Sequence, residues 1–135
     1  MIYLDACALL KFIKLEKETD ALRSWRLRLP TDINLVTSEL ARLEIGRTLL
    51  RGGGLAPQRL HETVEQALGD VIYVDLTKAL LARAMDYSMP KLGSLDAIHL
   101  ATAEPFRAEL TEFITYDNEL ASAATELGLP VVAPA

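Results

Sequence analysis

At 135 residues, 50% of them apolar and 24% charged, the chain has the size and composition of one folded domain, 1–135, and not of a disordered protein. No apolar run reaches the roughly 18 to 20 positions of a membrane span; the start, "MIYLDACALLKFIK", lacks the basic leader of a signal peptide, and Cys7 has no internal partner, so a cytoplasmic protein with no membrane contact is expected. The net charge of −5 argues against a simple phosphate binder unless the acids are concentrated at one place.

Short apolar, β-branched runs recur along the chain: "IYLD" at 2–5, "NLVTS" at 34–38, "VIYVD" at 71–75, "FITY" at 113–116 and "VVA" at 131–133. Segments with helical spacing separate them. "ACALLKFIKL" and "ALRSWRLRL" follow the first strand, and "ELARLEIGRTLL" and "PQRLHETVEQAL" follow the second. "KALLARAMDYS" and "LDAIHLATA" come after the third, and "NELASAATELG" after the fourth. "RGGGLAP" at 51–57 is the clearest break, with glycines to end one helix and Pro57 near the start of the next. Strands alternating with helices predict an α/β fold, a mainly parallel sheet of four to five strands with helices on both faces. Ligands in such sheets bind at the carboxyl ends of the strands, where the strand order reverses.

Four acids are candidates for that edge. Asp5 closes the first strand, Asp117 follows the fourth, Glu44 lies inside the helix after the second, and Asp96 is in the first turn of "LDAIHLATA". Each also has a structural reading. Asp5 and Asp117 precede helices, where aspartate caps backbone N–H groups; Asp96 suits a helix dipole behind Ser94; Glu44 can pair with Arg47. Against capping alone stands the apolar setting of Glu44, among Leu40, Leu43, Ile45 and Leu49, and of Asp96, whose helix has no other charge. An isolated carboxylate in apolar surroundings is costly and needs a partner. A divalent cation satisfies both acids. Clustered carboxylates without soft ligands suit Mg²⁺ or Mn²⁺, ions that lower the pKa of bound water and neutralise charge at phosphorus in phosphodiester cleavage. Setting the four aside, of 19 acids, leaves 15 against 14 basic residues, so the remaining surface is near neutral. Lys11, Lys14, Arg42 and Arg47 are then placed to hold a nucleic-acid backbone or to serve as solvated surface charge.

Taken together, "YLDACALLK", "TSELARLEIGR", "SLDAIHLATA" and "TYDNELASAATELGLPVVAP" resemble the PIN-domain family, and within it the VapC-type ribonuclease toxins. The resemblance runs from the first strand to the last few residues. It implies a parallel sheet sandwiched between helices in a three-layer α/β/α domain, and a homodimer. It also implies an endoribonuclease in which Asp5, Glu44, Asp96 and Asp117 hold one or two Mg²⁺ or Mn²⁺ ions. The substrate implied is RNA, of the tRNA or rRNA class, and the partner a small VapB-type antitoxin whose carboxyl-terminal segment blocks the site.

The first motif departs from the family, which has a hydroxyl or amide side chain just after the aspartate; here it reads Asp5-Ala6-Cys7, and Ser38 or Ser94 is the expected substitute for the missing hydrogen bond. His99 is expected to be a packed histidine bonded to backbone, since hard cations seldom take imidazole. Asp75 reads as a helix cap on an edge strand. A dehalogenase-type phosphatase would need an acid where Cys7 stands, and a phosphorelay receiver an acid pair near the first strand. The alternatives that stay open are a PIN ribonuclease of RNA maturation without an antitoxin and a non-catalytic α/β binding module. The large apolar residues between Leu9 and Leu29 fit an antitoxin groove, the core or a dimer contact equally.

Overall fold

The structure, a computed structural model, describes residues 1–135. Five strands form one sheet: β1 (Ile2–Leu4), β2 (Leu35–Ser38), β3 (Val71–Val74), β4 (Glu112–Ile114) and β5 (Val131–Val132). Their order is β3-β2-β1-β4-β5, and every pairing is parallel. The chain therefore winds outward from β1 in one direction, then returns to lay β4 on its other side. That reversal puts the crevice of a doubly wound sheet beside the carboxyl end of β1.

Alternation along β1 divides the core. Ile2 and Leu4 face a cluster with Leu9, Leu22, Trp25, Ile45 and Leu68, while Tyr3 faces the opposite side with Val36, Leu100, Phe113 and Leu120. The first layer is built by α1 (Ala6–Ile13), α2 (Thr19–Leu27), α3 (Glu39–Arg51) and α4 (Leu60–Leu68). The second contains α6 (Ser94–Ala103) and α7 (Asn118–Glu126), with α5 (Lys78–Met85) packed on α6 and burying no residue of its own. This is the three-layer α/β/α arrangement that the alternating pattern predicts.

Residues at or just beyond the strand ends cap the following helices. Asp5 accepts from Ala8 N–H at the start of α1, Ser38 from Leu40 N–H at α3, and Asp117 from Leu120 N–H at α7. Asp75 does not do this. It is exposed beyond the edge strand β3, and Thr77 caps α5. Ser94 likewise is not the cap of α6; Gly93 holds that position without a side-chain hydrogen bond. The segment from Pro57 divides into a 3-10 turn, Pro57–Arg59, and α4. The preceding break is made by Gly53 and Gly54, at φ +72° and +76°, a conformation that a side chain would strain. No helix is long and apolar enough to cross a membrane.

Candidate active site

Asp5 follows β1 and is buried, 3% exposed as a residue. Its Oδ1 accepts from Ala8 N–H at 2.8 Å and its Oδ2 from the Thr115 hydroxyl at 2.5 Å. Burial raises the carboxyl above the ordinary aspartate range, and these two hydrogen bonds oppose the rise. Thr115 follows β4, the strand beside β1, and its Oγ1 also accepts from Asp117 N–H at 3.1 Å. One hydroxyl thus ties the two aspartate-bearing turns together. It supplies the hydrogen bond that Ala6 and Cys7 cannot give and that was expected of Ser38 or Ser94; Ser38 is occupied as the cap of α3.

Glu44 projects from α3 and is paired not with Arg47 but with His99, Oε1 lying 2.7 Å from Nε2. His99, on α6, is 2% exposed and is bonded to side chains at both ring nitrogens: its Nδ1 is 2.7 Å from the Tyr3 hydroxyl. The expected backbone bond of this histidine is therefore replaced by a bridge from a core tyrosine to a site acid. Asp96, half-buried in the first turn of α6, is pushed up to about 6 by burial and then by Asp117, with Asp5 and Glu44 acting in the same sense and His99 against it.

All four acids act on one neighbour. The Cys7 thiol is pushed up to about 11 by burial first, then by the negative charge of Asp5, Glu44, Asp117 and Asp96. A thiol so disfavoured as thiolate is a poor nucleophile and a poor metal ligand. The sheet edge thus brings the predicted acids into one electrostatic neighbourhood, although no three His, Cys, Asp or Glu side chains converge as a ready-made ligand cage. Nor is any of the four paired with lysine or arginine. Lys11 is buried and bridged to Glu16 and Glu18 at 3.1 and 2.9 Å, which removes it from the expected backbone-binding set. Arg42 is paired with Glu39 and lies over the Tyr73 ring. Every buried side-chain polar atom has a partner, so the fit to a cation rests on charge and donor chemistry: carboxylate oxygens only, mutually repelling, with no protein cation to balance them.

Sequence reasoning missed Thr115, Tyr3 and the part played by His99. The signal for Thr115 was present, a hydroxyl two residues before Asp117 in "TYD"; Tyr3 carried none, being indistinguishable from core.

Residues 2–126 match the PIN domain family. The chain is 40% identical to Ribonuclease VapC35 of Mycobacterium tuberculosis, over 99% of this chain and 97% of that protein. It is 39% identical to Ribonuclease VapC46 of the same organism, over 98% and 97% of the two chains. Among solved structures it resembles Mycobacterium tuberculosis VapC20, described as a sarcin-ricin loop cleaving toxin, with TM-score 0.72 at 15% identity over 91% and 95% of the chains. A toxin-antitoxin complex from Klebsiella pneumoniae gives TM-score 0.69 at 20% identity, over 100% and 98%. At those identities the structural likenesses speak for the fold.

Proposed function

The chain belongs to the PIN-domain family, and we propose that it is a VapC-type endoribonuclease toxin whose Asp5, Glu44, Asp96 and Asp117 hold Mg²⁺ or Mn²⁺. The observation that carries this reading is the gathering of four carboxylates at the reversal point of the sheet with no lysine or arginine to balance them. Bound there, the cation would lower the pKa of a water and offset charge at phosphorus. The chain's own residues prepare the site. Thr115 and Ala8 N–H hold Asp5 in one orientation, and Asp117 is fixed by its cap and by Thr115. His99 holds Glu44. Preorganisation of this kind spares the site reorganisation when substrate arrives.

The substrate in this reading is RNA, which the ribonuclease relatives at 40% and 39% identity support, and its class is tRNA or rRNA. The antitoxin is of the VapB type. An apolar groove of about 550 Å³, lined by Phe12, Leu27, Leu29 and Ile33 and edged by Arg23 and by the Arg26–Asp70 ion pair, fits an amphipathic segment. A homodimer is supported by the exposed Leu81 and Met85 of α5 with the adjoining Leu76 and Leu95.

The test compares the wild type with Asp96→Asn, by Mn²⁺ calorimetry and by cleavage of total tRNA and rRNA. The variant is expected to fold, to bind Mn²⁺ at least about tenfold more weakly and to lose cleavage. Cleavage at the wild-type rate would remove Asp96 from the site, and a folded wild type that binds no Mn²⁺ would overturn the metal-dependent reading.

A further inference from the structure

We propose that His99 is a positioning residue that aims the Glu44 carboxylate, and that Tyr3 sets which ring nitrogen of His99 does so; the inference rests on the reading of Glu44 as a metal-binding acid. The chain of contacts runs from the middle of the core to the site. Tyr3, fully buried on β1, lies stacked on Phe113 with ring centroids 5.1 Å apart and meets the His99 ring edge-on. Its hydroxyl is 2.7 Å from Nδ1 of His99, and Nε2 is 2.7 Å from Oε1 of Glu44. The tautomer that gives each atom a partner has the Tyr3 O–H donating to Nδ1 and the Nε2–H donating to Glu44.

The relay joins β1, α6 and α3 and ends on one flexible side chain. Glutamate has three rotatable bonds, and Glu44 lies on α3 with its side chain 23% exposed and with His99 as its one side-chain hydrogen-bond partner. A charge-assisted bond from a ring that cannot move selects one rotamer and leaves Oε2 without a protein partner. A histidine serving the core alone has no need of this pattern: an apolar residue would fill the same space, and a packing histidine commonly satisfies itself on backbone. This one contacts backbone through neither nitrogen and passes the orientation of a tyrosine to a surface acid.

Mn²⁺ calorimetry on the full chain, with thermal melting as the control for folding, tests the proposal. His99→Leu is expected to weaken Mn²⁺ binding about 10- to 100-fold. His99→Gln, whose amide nitrogen reaches the place of Nε2, should recover most of that loss. In a Glu44→Gln background, His99→Leu should add no further loss, because the group it acts through is gone. Tyr3→Phe should weaken binding several-fold with the ring still in place.

Equal losses from His99→Leu with and without Glu44 would assign the residue to packing and overturn the inference. So would wild-type affinity in His99→Leu. Should His99→Leu fail to fold, Tyr3→Phe and His99→Gln decide: wild-type affinity in the first together with a loss in the second as large as that of Glu44→Gln overturns it. The two readings separate cleanly. Binding that is lost in Asp96→Asn but untouched by the His99 and Tyr3 variants sinks this inference alone, whereas a wild type that binds no Mn²⁺ sinks both.

Discussion

Asp96 occupies the first turn of α6, where negative charge suits the helix dipole, yet burial and the nearby Asp117 push its carboxyl up to about 6. A carboxyl whose folded value lies above its unfolded one holds its proton more tightly in the native state. Its ionisation therefore lowers stability as pH rises from the ordinary aspartate value near 4 towards 6, and the loss is complete above that window. For a half-exposed group, solvent screening brings the effect down to about 1 kcal/mol. Asp5, also raised by burial, contributes in the same direction. In the metal-free protein the melting-temperature difference between Asp96→Asn and the wild type should therefore grow between pH 4 and 6, reaching about 3 °C in favour of the variant at pH 7. Melts across pH 4 to 7 without metal check this, and a variant melting below the wild type at pH 7 would refute it. Capping and metal binding are also not exclusive alternatives. Asp5 and Asp117 do cap their helices, each through one oxygen, so the structural reading of those residues is correct as far as it goes.

The segment after β4 shows how one hydroxyl joins several elements. Thr115 donates to Asp5 at the start of α1 and accepts from Asp117 at the start of α7. Thr115→Val keeps the volume but leaves Oδ2 of a buried carboxylate without its donor, a change that costs about 1–3 kcal/mol. Urea unfolding at pH 7 should show that loss, with Thr115→Ser within about 1 kcal/mol of the wild type. Equal stability of wild type and Thr115→Val would mean that water replaces the bond. The α1–α2 pair answers the question of its excess apolar residues. Leu9, Leu22 and Trp25 belong to the core, Trp25 also donating to Glu112 at 2.7 Å, whereas Leu27 is 87% exposed at the groove. Apolar content alone could not divide those residues between core and surface, since helical spacing places both sets within a few residues of each other.

Assembly depends on surfaces that no single element defines. Leu81 and Met85 on α5, with Leu76 before it and Leu95 on α6, are 44%, 82%, 40% and 50% exposed. α5 and α6 pack together, so burying these exposed side chains in a second copy removes apolar surface from water without rearranging the core. The double substitution Leu81→Asp with Met85→Asp should leave the melting temperature of the monomer fold nearly unchanged and abolish the homodimer proposed for this face, read by sedimentation. A wild-type protein that sediments as a monomer at tens of micromolar would remove this role from the face.

The alternation of strands and helices and the caps of Asp5 and Asp117 were legible in the amino-acid sequence, because periodicity and capping act over a few residues and leave a local trace, whereas Asp75, which reads as a cap, yields that place to Thr77. Strand limits were read a residue or two long, as at Asp5, which ends the first apolar run but lies outside β1 and caps α1. What only the tertiary structure decided are the partners. Thr115 meets Asp5 across 110 residues, Tyr3 meets His99 across 96, and His99 meets Glu44 across 55. Lys11, which reads as a free cation, folds onto Glu16 and Glu18 and is buried there. These pairings follow from a strand order that sets β4 beside β1 and α6 against the opposite face from α1, and hydrophobic periodicity carries no record of which distant strands become neighbours.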